Sequence, residues 1–314
     1  MKKTKITKTT PQQNPPASPV ASHIDNNVAL ELKDFSIYFD KKPFLSNLNY
    51  KFEKGKIHYI VGPSGAGKTV LITHFNGLMI SKYGSVNVFN TPIIIKKNKI
   101  KNVKYIRNKI GMVFQFAEYQ LFKKTILKDI IFGPMNFGVK KEEAINRAKK
   151  YINLVGLDES FLPRDPFGLS GGQKRRVAVA GILAIEPEIL IFDEPTAGLD
   201  PNGEKEFLTI FKTLKEMGKT IIIVTHSMNL AIEVADNLIV VADGKIVRDG
   251  DIYEIFADKE LVEKTNLSTP LIFRTIEALV KKNKIYNTLF DLRPKTIDEL
   301  TLYISKIRKD DKRK

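Results

Sequence analysis

The stretch Lys56-Ile-His-Tyr-Ile-Val-Gly-Pro-Ser-Gly-Ala-Gly-Lys-Thr69 decides the reading of the chain. It opens as an apolar strand, Lys56 to Val61, and stops on glycine. Gly62, Pro63, Ser64, Gly65, Ala66, Gly67, Lys68 and Thr69 then satisfy the whole pattern G-x-x-x-x-G-K-[ST]. Thr69 to Leu78 continues as a helix, with Gly77 near its end. The glycines let the backbone bend until successive N–H groups face inward, and the helix aims its N-terminus at the same point, so the loop is a nest for phosphate. Lys68 adds a mobile positive charge for β and γ phosphates, and the Thr69 hydroxyl is a hard oxygen ligand suited to Mg2+. A strand before the loop and a helix after it supply the context that a chance match lacks.

Outward from this loop the chain alternates. Upstream, Val28 to Phe39 alternates apolar and polar residues as a strand, turns at Asp40-Lys-Lys-Pro43 and resumes at Asn49 to Phe52. Downstream, strands are expected near Ser85 to Phe89 and Ile110 to Phe114, and residues 123–165 read as helical, with Ala144, Ala148, Ile152 and Val155 on one stripe. Buried strands at Ile189 to Phe192 and Thr220 to Thr225 alternate with helices at Glu204 to Met217 and Met228 to Ala235. Leu238 to Val247 reads as a hairpin turned at Asp243-Gly244. Short apolar strands alternating with helices imply an α/β fold whose sheet is largely parallel and covered on both faces. The expected organisation is a basic, Pro-rich disordered tail over 1–27, a phosphate-binding α/β domain over 28–254 with a helical part at about 116–168, and a helical C-terminal extension over 255–314.

Two further positions belong to the same chemistry. Ile189 to Phe192 ends in Asp193-Glu194, at the strand end where ligands bind an open α/β sheet. Neighbouring residues on a strand point to opposite faces, so the two acids take different tasks. Asp193 is placed to hold Mg2+, directly or through water, and Glu194 to orient and polarise the attacking water. Alone, such a pair is equally a solvated strand end. His226 closes the strand from Thr220, where it can contact a γ-phosphate or position water; an isolated histidine is otherwise a structural residue.

Leu169-Ser-Gly-Gly-Gln173 repeats the phosphate device. Ser170 offers a hydroxyl, Gly171 and Gly172 offer backbone N–H groups, and Gln173 opens a helix whose positive end can face an anion. With one cradle already present, a second anion-binding helix start needs a phosphate of its own. Here the sequence resembles the ABC ATPase family, over about residues 28–255. The matching residues are Gly62 to Thr69, Gln115, Leu169 to Gln173, Ile189 to Glu194, Ala197-Gly-Leu-Asp200 and His226, in family order. The resemblance implies a P-loop fold of mixed sheet, flanking helices and a helical subdomain. It also implies Mg-ATP as cofactor and two nucleotide-binding domains packed head to tail, the signature of one touching the γ-phosphate held by the other. Asp200 would lie at that interface. Gln115 would join the nucleotide and its metal to the transported partner, and Tyr38 matches the aromatic on which adenine stacks, although Tyr38 and Phe39 could equally be core.

Within that family, Gly111-Met-Val-Phe-Gln-Phe-Ala-Glu-Tyr-Gln-Leu-Phe122 and Gly171-Gly-Gln-Lys-Arg-Arg-Val-Ala-Val-Ala-Gly-Ile-Leu-Ala184 look like the ATP-binding components of energy-coupling-factor transporters, close to the cobalt importer ATPases and similar to the second, A-prime type of the pair. The resemblance implies a paired ATPase subunit, a transmembrane coupling protein and a small substrate-binding membrane protein. It further implies import of vitamins or transition-metal ions, and a peripheral place on the cytoplasmic side of the cell membrane. Ala117 departs from the subfamily's usual proline. The tail is outside the pattern, and the lysine-rich segment Pro92 to Lys109 reads as a lengthened loop. Phe114, Phe116, Tyr119 and Phe122 cluster beside Gln115, as lining for a partner's helices or as core of the helical subdomain.

Composition narrows the field. The 314 residues are 43% hydrophobic and 27% charged, enough for a core without staples. With no cysteine there is no disulfide framework or thiolate metal site, which fits a reducing compartment. No apolar run reaches the roughly 18 residues of a bilayer span, and the lysines at the start lack the apolar region of a secretory signal. The net charge of +16 suits solvated surface or an anionic membrane face. Nucleic acid is not expected, because neither tail interleaves aromatics with its basic residues as a stacking platform would. The competing function is a soluble ABC ATPase acting on ribosome or DNA. Most of that class carry two cassettes or a long coiled-coil insertion, and this chain has neither. A cassette that binds nucleotide without hydrolysing it is opposed by intact Lys68, Asp193, Glu194 and His226.

Overall fold

Strand alternation builds two sheets back to back. The computed structural model describes residues 25–311, so the expected tail lies outside the described residues up to residue 24. Val28–Phe39 (β1) and Lys42–Glu53 (β2) pair antiparallel across a turn at Asp40 and Lys41, both at positive φ. Ile57–Val61 (β3) leads into Lys68–Phe75 (α1). Tyr83–Val88 (β4) and Thr91–Pro92 (β5) return to the first sheet, which runs β2-β1-β4-β5.

The lysine-rich stretch that reads as a loop has structure of its own. Ile95–Lys96 (β6) and Lys99–Ile100 (β7) form a two-residue ladder, and Val103–Lys109 (α2) follows. Next come Ile110–Val113 (β8), a 3-10 turn at Ala117–Gln120, and the helices Ile126–Ile130 (α3), Phe132–Asn136 (α4) and Lys141–Leu154 (α5). The stripe Ala144, Ala148, Ile152 and Val155 is buried, as helical spacing requires.

Gly171–Leu183 (α6), Ile189–Asp193 (β9), Pro201–Glu216 (α7), Thr220–Val224 (β10), Met228–Val234 (α8), Asn237–Ala242 (β11) and Lys245–Gly250 (β12) complete the α/β unit. The second sheet runs β12-β11-β3-β10-β9-β8. Its members are parallel except β12, which pairs antiparallel with β11. Period two divides its side chains between two cores. Ile189, Ile191, Ile222 and Val224 face the antiparallel sheet and α1, while Leu190, Phe192, Ile221 and Ile223 face α5 to α8. All parallel strands therefore end on one edge, and that edge carries the phosphate loop, Asp193 and His226.

Five helices follow: Ile252–Ala257 (α9), Lys259–Thr265 (α10), Leu271–Lys282 (α11), Thr288–Leu292 (α12) and Ile297–Asp311 (α13). Asp251 caps α9, so helix begins before residue 255. Ile252, Ile255, Ile272, Ile276 and Leu289 join the same core as α5 to α8.

Candidate nucleotide site

The cradle follows from backbone that only glycine tolerates. Gly62 has φ 143° and passes so close to β11 that a Cβ there would lie 1.9 Å from the Val241 carbonyl oxygen. Gly67 has φ 91°, with Phe44 Cε1 at 2.8 Å from such a Cβ. Between them the loop carries exposed Ser64 and Gly65 and half-buried Pro63 and Ala66. The Lys68 ammonium is folded back, donating to the carbonyls of Gly62 at 2.8 Å and Pro63 at 2.9 Å. Burial pulls its pKa down, and Glu194 and Asp193 partly restore it.

The Thr69 hydroxyl donates to Asp193 Oδ1 at 3.2 Å. Asp193 is 4% exposed, and burial pushes its carboxyl up, with Glu194 adding to the rise and Thr69 and Lys68 opposing it. A hydroxyl beside a buried carboxylate is a hard oxygen pair that a divalent cation would satisfy, so the residues fit Mg2+. The adjacent Glu194 sits at φ 45°, a strained conformation for a side-chain-bearing residue. Its N–H donates to the Val224 carbonyl at 2.8 Å, fixing it to the end of β10. Its carboxylate accepts from the His226 backbone N–H at 3.4 Å, and Oε1 stands 3.4 Å from His226 Nε2.

Lys68, Thr69, Gln115, Glu194 and His226 line one cleft of about 500 Å³, together with Ser64, Gly65, Gly67, Phe44 and Ala197. Two larger hollows, one beside Tyr50 and Asp236 and one among Tyr253, Phe273 and Phe290, contain none of the motif residues. Tyr38 is elsewhere: its ring stacks on Tyr83 with centroids 4.5 Å apart. The aromatic at the cleft is Phe44, with Phe39 packed edge-on against it at 5.1 Å. Adjacent residues leave a strand on opposite faces, so Phe39 and Tyr38 part ways, but the register slip before Tyr38 hides which of them faces the cleft.

Ser170, Gly171, Gly172, Gln173 and Asp200 do not line the cleft. Ser170 caps α6 by accepting from the Gln173 N–H at 3.3 Å, and Gln173 Oε1 accepts from the Ser170 N–H at 3.1 Å. A Cβ on Gly171 would meet nothing within 4 Å, and one on Gly172 would meet only Leu199 at 3.8 Å. Neither glycine is required by this chain's own packing. Asp200 caps α7, accepting from the Gly203 N–H at 2.8 Å.

Two residues past the signature lies a residue the sequence did not single out. Arg175 is 4% exposed. Its Nε and Nη2 donate to the two Glu118 carboxylate oxygens, each at 2.9 Å, and Nη1 donates to the carbonyls of Pro195 at 3.2 Å and Ala197 at 2.8 Å. Burial alone would raise the Glu118 carboxyl, but the Arg175 hydrogen bonds hold it below its ordinary range. One side chain thus ties α6, the turn after Gln115 and the loop after Glu194. Around Glu118 the aromatics are not core: Phe116, Tyr119 and Phe122 are 45%, 85% and 55% exposed, whereas Phe114 packs against the sheet.

Known proteins match this chain over most of its length. The ABC transporter family model matches residues 45–197. The energy-coupling factor transporter ATP-binding protein EcfA2 of Mycoplasmoides gallisepticum is 49% identical over 272 residues, spanning 85% of this chain and 86% of that protein. The EcfA2 of Streptococcus pneumoniae is 44% identical over 266 residues, spanning 83% and 95%. The structure of cbiO1 from Clostridium perfringens, part of the ABC transporter complex cbiONQ, is 34% identical with a TM-score of 0.68, covering 80% of this chain and 99% of its own. The dimeric cassette MJ0796 in a post-hydrolysis state, bound to ADP and Pi, is 31% identical with a TM-score of 0.61, covering 71% and 98%. The chain belongs to the energy-coupling factor transporter ATP-binding proteins, a branch of the ABC transporter ATPases.

Proposed function

We propose that this ATP-hydrolysing subunit pairs with a second, related ATPase and powers a membrane importer of vitamins or transition-metal ions from the cytoplasmic side. The observation that carries the pairing is the split between the cleft and the signature. The cleft groups Lys68, Thr69, Gln115, Glu194 and His226, while Ser170 to Gln173 and Asp200 stand outside it with glycines that nothing in this chain fills. Another subunit's phosphates would occupy that opening, and this subunit's phosphates would meet the other's signature. The relatives named as transporter subunits support the importer reading.

In this reading the loop N–H groups and Lys68 hold the nucleotide phosphates. Thr69, Asp193 and Gln115 hold Mg2+, which when bound neutralises phosphate charge. Glu194 positions the attacking water and takes its proton, and His226 keeps the Glu194 carboxylate oriented and faces the γ-phosphate. Phe44 and Phe39, in place of Tyr38, offer rings to the adenine. Phe116, Tyr119 and Phe122 receive helices of the transmembrane coupling protein. The soluble reading on ribosome or DNA has no comparable support. In the complex assembled with its membrane partners, Glu194→Gln should retain ATP affinity while turnover falls by about 10²–10⁴. Normal turnover would remove Glu194 from its role.

A further inference from the structure

The charge of the chain is unevenly spread. Between Glu53 and Glu118 there is no acidic residue. The basic residues of this stretch concentrate in the β6–β7 hairpin and its return, at Lys96, Lys97, Lys99, Lys101 and Lys104, all exposed. Among the described residues none of these five is ion-paired, whereas Lys109, at the end of α2, pairs with Glu188.

The hairpin is fixed in place. Lys97 and Asn98 turn it with φ 51° and 56°, the left-handed pair that matches strand twist in a two-residue loop. Asn102 ties its base, accepting from the Ile94 N–H at 3.0 Å and donating to the Pro92 carbonyl at 2.9 Å. Lys101 N–H donates to the Ile94 carbonyl at 2.9 Å, which extends the ladder.

Cross-strand pairs Ile95–Ile100 and Lys96–Lys99 set the two faces. The inner face carries Ile95 and Ile100. They share a hollow with Met79 and Ile80, and Ile100 closes over Gly77. The outer face carries Ile94, 48% exposed, among Lys96, Lys99 and Lys101. Met79 and Ile80, 37% and 36% exposed, lie on the inner side with Ile95 and Ile100.

We propose that the 93–104 hairpin is a lipid-docking finger that seats the subunit on an anionic membrane face. The lysines lie against lipid phosphates, and Ile94 enters the headgroup boundary. An apolar residue centred in an unpaired basic face suits a lipid interface, where both kinds of group find partners. A nucleic-acid backbone would use the lysines but leave the isoleucine in water. The inference rests on the reading that the chain works at a membrane, and it adds a contact independent of protein partners.

The test is flotation of the full chain with vesicles of phosphatidylcholine alone or with about one third phosphatidylglycerol, at low and high salt. The expected result is retention on the anionic vesicles only, weakened by salt. Each Lys→Gln should lose about fivefold, so K96Q/K99Q should lose about 25-fold with ATP binding unchanged. Ile94→Ser, which keeps the charge, should also weaken retention. Equal retention on neutral vesicles, or retention untouched in K96Q/K99Q, would overturn the proposal. So would capture of an RNA oligomer at the same salt with no retention on vesicles. Assembly with membrane proteins in detergent is scored separately: its absence counts against the importer reading, while intact assembly without vesicle retention sinks only the lipid finger.

Discussion

Replacing Arg175 with Met should break the link between three parts of the nucleotide site. The pair with Glu118 is enclosed, with side chains 5% and 15% exposed. Removing the arginine leaves a carboxylate in a poorly solvated place and strips the donor from the carbonyls of Pro195 and Ala197. Breaking a buried ion pair on one side costs about 3–5 kcal/mol, and the two carbonyls push the value to the upper end. At roughly 2–4 °C per kcal/mol, the melting temperature should fall by about 10 °C or more. Glu118→Leu should cost about as much, because it strands the guanidinium. The double variant should be less damaged than the sum by about 2–3 kcal/mol, since neither charge is then left alone. Glu118→Gln, which keeps one acceptor, isolates the functional part. The turn after Gln115 loses part of its hold on α6, and a shift of about 1 Å at the reacting geometry costs on the order of 10²-fold. Turnover should fall by that order with ATP affinity unchanged. Because the folded-state pKa of Glu118 is depressed, its stabilisation is present above the ordinary carboxylate range and is lost as pH falls through the lower, folded value. The arginine variant should therefore lose the extra acid sensitivity seen in the parent. Thermal melts of the four proteins and steady-state ATPase rates decide the matter. Additivity within about 0.5 kcal/mol, or normal turnover in Glu118→Gln, would refute the clamp.

Other expectations follow from the same site. Gly171→Ala should raise the stability of the lone subunit by roughly 0.5–1 kcal/mol, since the position is helical and open, yet lower turnover of the paired enzyme by obstructing the other subunit's nucleotide; unchanged turnover would count against that role. Asp193→Asn should raise the melting temperature without nucleotide, because burial already disfavours the charged carboxylate, and should abolish any further rise on adding Mg2+ with ATP; calorimetry with and without metal checks both. The sign is that of a raised acid: the cost grows as pH rises above the ordinary Asp range, so the asparagine's advantage should vanish in acid. Phe116→Ala or Tyr119→Ala should weaken assembly with the membrane component by about 2 kcal/mol each while ATP affinity holds, measured by co-purification and nucleotide titration.

How much was legible depended on how local each feature is. The cradle, the Asp193–Glu194 pair and the signature are contiguous strings, each resting on one strand–turn–helix junction, and short-range rules reach them. The parallel strands were visible because their side chains are buried on both faces and need no partner to be named. The Arg175–Glu118 clamp was not visible: its members are 57 residues apart, and Lys174-Arg175-Arg176 looks like a solvated basic run until α6 turns the middle residue inward. The aromatic beside the cleft was hidden for a different reason. Pairing of β1 with β2 slips between Phe35 and Ile37 and again between Ile37 and Tyr38, so counting faces along the strand fails just where the choice between Tyr38 and Phe39 is made. The hairpin within 92–109 escaped because a two-residue strand has no period to detect. The onset of the last helices escaped because α9 shares its core with the domain before it.

The cap at Ser170 has a bearing on how a waiting subunit differs from an engaged one. A serine hydroxyl can receive two hydrogen bonds and give one. Here one receiving position is filled by the Gln173 N–H. The oxygen is thereby pinned at the helix start, and its proton remains available to an incoming anion. Gln173 is occupied in turn by the Ser170 N–H, so it cannot wander into the opening. On the proposed pairing, the lone subunit would hold its donor at the helix start, and engagement would need little reshaping of this turn. Association should accordingly be governed by nucleotide occupancy rather than by slow reshaping of either face, so subunits could separate after hydrolysis and return ready-formed for the next round.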